Sequence, residues 1–380
     1  MVQTRDPVVN INELIEPIAE DNPTGSDIRE DPAYDSIYRT IKDARGSARA
    51  AERDHMFDET LSNEATDYWK KVVSLAPEIL KNKAKDLDVC SWFIEAEVRL
   101  NGLQGLSECF TLTRQLIELY WDGLYPTPDD DEYDDGLKAR VSSFVGLNGG
   151  TDEGVLIAPI RNVLLTDPKV GKSFSYFQYQ QATEAKRTTD DKVRAAKIRD
   201  LGFSLEDIQT AVNKCGGEFY VELRDDVLNC VTEFKLINEL FTQHCGSAVA
   251  PGTRHVFSVL DEFLRAINYL AKDILPKEIV ENENNDAVEN GEAVADGGTG
   301  GNKLGGSINS REAAFKQLLL ISDFFLKTEP HSPVAYVLAK AVKWGNMNLN
   351  ELIGELIPDE SSRNTYSSLT GVKADETNEN

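Results

Sequence analysis

The side chains that could do chemistry in this 380-residue chain stand at spacings that the chemistry does not use. Val170-Gly-Lys-Ser173 has the tail of a phosphate-binding loop, where backbone N–H groups and a lysine cradle phosphates. That loop also needs a glycine five residues ahead of the Gly-Lys pair, and position 166 is Thr; no strand pattern precedes it. Cys215, Cys230, His244, Cys245 and His255 are zinc-ligand types, yet none shows the two-to-four-residue spacing of a structural zinc site. Asp129-Asp-Asp-Glu132 lacks the glycine and terminal Glu of a calcium loop, so it reads as a solvated turn. His331, between Pro330 and Ser332, reads as a turn residue. No nucleophile–base pair and no glycine-rich dinucleotide fingerprint occur. Carboxylates abound in a chain with 65 Asp and Glu, so adjacent pairs of them mean little. We expect no catalytic, cofactor or metal site, and no enzyme.

Bulk composition narrows the class further. The net charge of −25 argues against nucleic acid and against an anionic membrane as partner, because both need clustered Lys and Arg. No apolar run reaches the roughly 18 residues that span a bilayer, and the N-terminus lacks a basic, then apolar, signal segment. The expected place is the cytoplasm. Five cysteines with no short pairing motif are expected to be reduced core residues there.

The elements that would position any site are helical. Asp31 before Pro32 predicts a helix start, and Tyr34, Ile37, Tyr38 and Ile41 recur at helical spacing over 32–55. A loop is expected at 57–66. Asp67 then caps a helix carrying Trp69, Val72, Val73, Ala76, Ile79 and Leu80, with a kink or break at Pro77. Asp86 or Asp88 opens the next, with Val89, Trp92, Phe93, Ala96 and Leu100 on one stripe, ended by Asn101-Gly102. Leu106, Cys109, Phe110, Thr113, Leu116, Ile117 and Tyr120 form a further stripe, and a short helix is expected near 136–147. Ser204 and Asp207 make a capping box. Tyr220, Leu223, Val227, Cys230, Phe234, Ile237 and Phe241 alternate steps of three and four, a heptad seam. Val256, Leu260, Phe263, Ile267, Leu270 and Ile274 do the same, so an antiparallel hairpin turning at Gly246–Gly252 follows, its seam closed within one chain or between chains.

Glu281 to Gly306 is acidic and nearly free of apolar residues, and buries too little to order itself. Beyond it, Ala313 to Phe325 is apolar almost all round, and such a helix must be covered on every side. Ser332-Pro333 starts another helix, with Val334, Val337, Leu338, Ala341 and Val342 as its stripe. Asn348 with Glu351 opens a last one. The fold class is all-α: an N-terminal helical bundle or repeat over 1–150, a middle helical domain with the hairpin over 151–276, a disordered acidic linker over 277–310 and a small helical domain over 311–380.

Several of these segments carry a resemblance. Ile18-Ala-Glu-Asp-Asn-Pro-Thr-Gly-Ser-Asp-Ile-Arg-Glu-Asp-Pro-Ala-Tyr-Asp35, Asp67-Tyr-Trp-Lys-Lys-Val72, Lys85-Asp-Leu-Asp-Val-Cys-Ser-Trp92 and Tyr120-Trp-Asp-Gly-Leu-Tyr-Pro126 resemble the ImpA N-terminal domain of the TssA proteins of bacterial type VI secretion systems. The family usually has His where this chain has Tyr125. Pro159 to Pro168 and Phe174 to Tyr179 resemble its following linker element. Thr328-Glu-Pro-His-Ser-Pro-Val334, Ala341-Val-Lys-Trp344 and Leu352-Ile-Gly-Glu-Leu-Ile-Pro-Asp359 are similar to its C-terminal ring-forming domain. The resemblance implies a non-enzymatic, ring-forming homo-oligomer without cofactor or membrane insertion. Its expected partners are baseplate, membrane-complex, tube and sheath proteins, and its expected task is to start and coordinate tube and sheath polymerisation. Some relatives instead cap or stop the distal sheath end; a strongly apolar extra segment is expected in some of those and is not found here. A nucleotide-regulated switch is the remaining alternative. For self-assembly the expected residues are Phe315, Leu319, Phe324, Phe325 and Trp344.

Overall fold

The computed structural model describes residues 5–55, 62–128, 133–275, 311–328 and 333–347, with Leu352, Glu355 and Asp359 beyond them. It divides into two compact units, Met1–Asn282 and Glu283–Asn380. Among the described residues every regular element is a helix; extended pairing is limited to isolated bridges such as Gly25 with Ala84 and Asp86 with Tyr125.

In the first unit the helices are α1 (Ile11–Leu14), α2 (Ile37–His55), α3 (Ser62–Asn82), α4 (Leu87–Leu100), α5 (Gly102–Tyr120), α6 (Tyr133–Asn148), α7 (Ile157–Asn162), α8 (Tyr176–Arg187), α9 (Asp191–Leu201), α10 (Leu205–Val212), α11 (Gly217–Cys245) and α12 (Arg254–Leu270). α2 packs on α3, α3 on α4, α4 on α5 and α5 on α11. α11 turns back as α12, which meets α6 and α7, and these return to α4. The helices on either side of residue 150 therefore share one core.

The centre is α4. The expected single stripe is too narrow: α4 is buried on all sides from Val89 to Val98. Its polar members are bonded in part, one carboxylate oxygen each of Glu95 and Glu97 lacking a hydrogen-bond partner. The Ser91 hydroxyl donates to the Asp88 carbonyl, and Glu95 accepts from Arg45. Asp86 is the N-cap, accepting from the Val89 N–H at 3.0 Å. The α2–α3 contact rests on small residues, Ala44, Ala48 and Ala51, which let the two backbones approach.

Three boundaries differ from expectation. Asp31-Pro32 does not start a helix. Asp31 accepts from the Ala33 N–H in a local turn, and α2 begins at Ile37, with the Ser36 hydroxyl accepting from the Arg39 N–H. Tyr34, placed on the stripe, is 92% exposed. Asp67 lies inside α3, which begins at Ser62, and accepts there from Lys70 rather than capping. Pro77 does not end α3; the helix runs through to Asn82, with Pro77 only unable to donate to the Val73 carbonyl. The capping box at Ser204 and Asp207 is formed.

Every residue named on the α11 seam is buried. The hairpin forms, but α12 shares the seam with α5. Phe234 stacks on Phe110 of α5 at 5.1 Å between ring centroids and meets Phe257 of α12 edge-on at 5.3 Å. The seam is thus closed within the chain, and Ile274 falls just past the end of α12.

The second unit shows α13 (Arg311–Thr328) and α14 (Pro333–Asn346) packed together as a hairpin. The acidic segments at Asp129–Glu132 and 277–310, His331, most of the helix expected after Asn348 and the last ten residues lie outside the described residues.

Candidate functional site

The segments that carry the family resemblance converge on one junction. Gly25 turns with φ +75°, and a Cβ there would lie 2.0 Å from the Lys83 carbonyl oxygen, so no other residue fits. The Lys85 N–H donates to the Thr24 carbonyl at 2.9 Å and the Ser26 N–H to that of Lys83 at 3.1 Å. From the other side the Tyr125 N–H donates to the Lys85 carbonyl, the Leu87 N–H to that of Tyr125, and the Tyr125 hydroxyl to that of Gly25. Tyr125 thus ties all three segments together.

Two cations lock this junction. Arg29 bonds Asp86 at 2.6 Å, Asp88 at 2.5 Å and Asp27 at 3.1 Å. Burial works against its charge, but Asp86 and Asp88 more than offset that and hold its proton more tightly. The Lys85 ammonium is fully buried and donates to the carbonyls of Leu14 and Leu80, in the last turns of α1 and α3. Burial lowers its pKa to about 8. Lys85 spends its hydrogen bonds on backbone carbonyls and Arg29 on carboxylates of the same junction.

Most of the other reactive types are occupied too, although Cys245, expected in the core, is only half-buried. Cys90, Cys109 and Cys230 are buried, which pushes their thiols up and leaves them inert. Cys215 accepts from the Asp167 N–H, and His244 stacks on Trp121 at 4.5 Å. His255 contacts the Gly150 carbonyl through Nε2. No group of three His, Cys, Asp or Glu able to hold a metal occurs among the described residues. At Val170-Gly-Lys-Ser173 the chain makes a loop that leads into α8, capped by Ser175. The Lys172 ammonium lies 5.1 Å from the Phe174 ring centre. A cavity of about 230 Å³ opens beside it, but Asp207 and Lys214 share the wall with Lys172, a mixed-charge lining rather than a phosphate cradle.

The surface that stands out is on the C-terminal hairpin. The two helices meet through small groups: Ala335 and Val342 are buried, and the Ser322 hydroxyl donates to the Ala335 carbonyl at 2.7 Å. Phe315 packs on Gly345, where a Cβ would come within 2.3 Å of its ring, so it closes the hairpin. Phe325 and Trp344 are half-buried, Trp344 under the Lys340 ammonium at 4.9 Å. Leu319 is 44% and Phe324 55% exposed. Sequence reasoning named neither Leu320 nor Val337 for assembly. Leu320 and Phe324, four apart, form an outward stripe on α13; Val337, 61% exposed, sits on the outer side of α14 with Val334. The stripe expected to bury Val334, Val337 and Ala341 leaves them outside, because only Ala335 and Val342 are small and placed to meet α13. Their shared exposure shows only once the packing partner of each helix is known.

No helix among the described residues is long and apolar enough to cross a membrane. Residues 15–149 match the family described as ImpA, N-terminal, type VI secretion system. The type VI secretion system component TssA1 of Pseudomonas aeruginosa is 23% identical over 379 residues, 97% of this chain and 100% of that protein. Among solved structures, the N-terminal domain including the conserved ImpA_N region of the TssA component from Burkholderia cenocepacia superposes with a TM-score of 0.56 at 24% identity, over 71% of this chain and 98% of that one. The motif segments that meet at the Gly25–Lys85–Tyr125 junction thus lie inside the region that matches the ImpA N-terminal family, and the chain is similar along its length to a TssA component of a type VI secretion system.

Proposed function

We propose that this protein is a non-enzymatic assembly component of the type VI apparatus, acting as a homo-oligomeric ring at the baseplate and membrane complex that helps start and coordinate tube and sheath polymerisation. The observation that carries this reading is the outward apolar surface of the C-terminal hairpin, with Leu319, Leu320 and Val337 exposed on a unit too small to bury them. Copies of the same hairpin related by symmetry supply the covering at no cost in new sequence. Phe324 and Phe325, edge-on at 5.8 Å, and Trp344 are aromatic anchors of the type that dominate such contacts. The first unit spends its reactive groups on fastening its own backbone, which suits a rigid binding body. The TssA1 relative is named as a component of the secretion system and aligns along its whole length, which supports the same place for this chain.

The test is made in cells that assemble the apparatus. The chromosomal copy is replaced by one carrying Leu320→Glu and Phe324→Glu, and sheaths are counted with a fluorescent sheath subunit. The reading expects tube and sheath initiation to fall to the level of the deletion strain while the protein remains at normal abundance. Normal sheath number and dynamics would overturn it.

A further inference from the structure

One flank of α2 is basic in a chain whose overall charge is −25. At about 3.6 residues per turn, Arg45, Tyr38, Arg49, Lys42, Arg53, Gly46 and Arg39 fall side by side within about 120° of arc. No acid of α2 lies in that sector; Asp43 and Asp54 border it beyond Arg39, and Ile41, Ala44, Ala48 and Ala51 face the core on the opposite side. Among the described residues, two nearby carboxylates are already engaged. Glu95 takes Arg45 at 2.6 Å, and Glu52 takes Arg99 at 2.6 Å and the Trp69 indole N–H at 2.7 Å. Among the described residues Arg39, Lys42, Arg49 and Arg53 form no ion pair within 4.0 Å. Burial weakens the hold of Arg49 on its proton, and Arg45, Arg99 and Arg53 add to that against the pull of Glu95. Among the described residues, the flank carries more cations than there are carboxylates paired with them.

Gly46 is the second, independent observation. It sits mid-helix on this flank, exposed, and a Cβ there would meet nothing within 4 Å. Glycine is disfavoured in a helix interior, and here no internal contact requires it. Its absent side chain leaves a shallow gap between Lys42, Arg49 and Arg53 through which a foreign backbone can approach the helix.

We propose that this flank of α2 is a docking surface for a carboxylate-rich segment of a partner protein, laid along the helix over Gly46. Guanidinium groups suit carboxylates, and Arg45 of this helix already donates through Nε and Nη2 to one oxygen of Glu95. The remaining negative charge of the chain is screened beyond roughly 8–10 Å, so the local cations decide close association. The surface shares no residue with the C-terminal hairpin, and the inference stands whether or not that hairpin assembles.

The test uses the full chain and a fluorescein-labelled octaglutamate peptide read by anisotropy, with octaglutamine and a thymidine oligonucleotide alongside. Saturable binding of octaglutamate alone is expected. It should weaken about tenfold in Arg49→Gln with Arg53→Gln, which leaves the Arg45 and Arg99 pairs in place. Gly46→Gln should also weaken it while melting no lower than the parent, a combination that damage to the fold cannot produce. Absence of octaglutamate binding, or binding unchanged in both variants, would overturn the proposal. Tighter binding of the oligonucleotide, lost in the same variants, would overturn it in favour of a phosphate-bearing partner.

Discussion

The Lys85 ammonium lies 2.6 Å from the carbonyl oxygen of Leu14, at the end of α1, with no exposure to solvent. It reaches the Leu80 carbonyl at 2.8 Å as well. One side chain therefore closes two helix C-termini and holds the N-terminal segment on the bundle. A cation is favoured there by the negative ends of both helices, but burial opposes it.

Removing that cation leaves two carbonyls without a donor. Lys85→Met is expected to destabilise the first unit by about 1–3 kcal/mol near neutral pH, seen as a lower midpoint in urea. The pH dependence has a definite sign. The folded pKa of about 8 lies below the model-peptide value of 10.5, so the unfolded chain binds more protons between them. The stability of the parent, measured relative to Lys85→Met, should rise from pH 8 to about pH 10.5 and be flat below that window. A difference that falls with rising pH would contradict the placement of this lysine.

Arg29 is the second lock. It is 23% exposed at the side chain and grips Asp86, which is fully buried. Arg29→Met strands that carboxylate, and about 3–5 kcal/mol should be lost. Arg29→Lys should recover only part, because a single ammonium cannot reach three carboxylates in a planar fork. Equilibrium unfolding of the two variants side by side checks both statements.

Two glycines should respond oppositely to alanine. At Gly25 the positive φ and the 2.0 Å approach to the Lys83 carbonyl make Gly25→Ala destabilising, by about 1–3 kcal/mol or more. At Gly46 the Cβ has open space, and Gly46→Ala should stabilise α2 by about 1 kcal/mol. Thermal melts of the two variants suffice. Equal effects at both sites would refute the distinction.

The aromatic contact between α5 and α11 predicts coupling. Phe110 and Phe234 stack at 5.1 Å, so a double-mutant cycle through Phe110→Leu and Phe234→Leu should show about 0.5–1.5 kcal/mol of interaction. Additive losses would mean that the seam closes on α12 alone.

Much of this architecture was readable from the chain. The alternating three-and-four spacing from Tyr220 to Phe241 names a buried seam, and every member is buried. What periodicity cannot state is the partner. A stripe looks the same whether α12 fills it alone or α5 shares it, and the Phe110–Phe234 stack joins residues 124 positions apart in sequence. Asp31-Pro32 misleads for a local reason: an Asx turn and a helix cap use the same side-chain acceptor, and the turn wins at Ala33. The C-terminal residues divide by packing. Phe315 has Gly345 opposite it and turns inward; Leu320 has no such gap and stays outside. The excess of apolar residues on α13 was legible, while the choice of which ones face out required the hairpin.

The central claim is that this outward face brings copies together, and native mass tests it most directly. Light scattering on a sizing column is applied to the full chain, to the Leu320→Glu with Phe324→Glu variant and to a chain ending at Pro276. The account predicts a large homo-oligomer for the first and small species of similar helical content for the other two. A full-length monomer across a wide concentration range, or an oligomer that survives both changes, would contradict it.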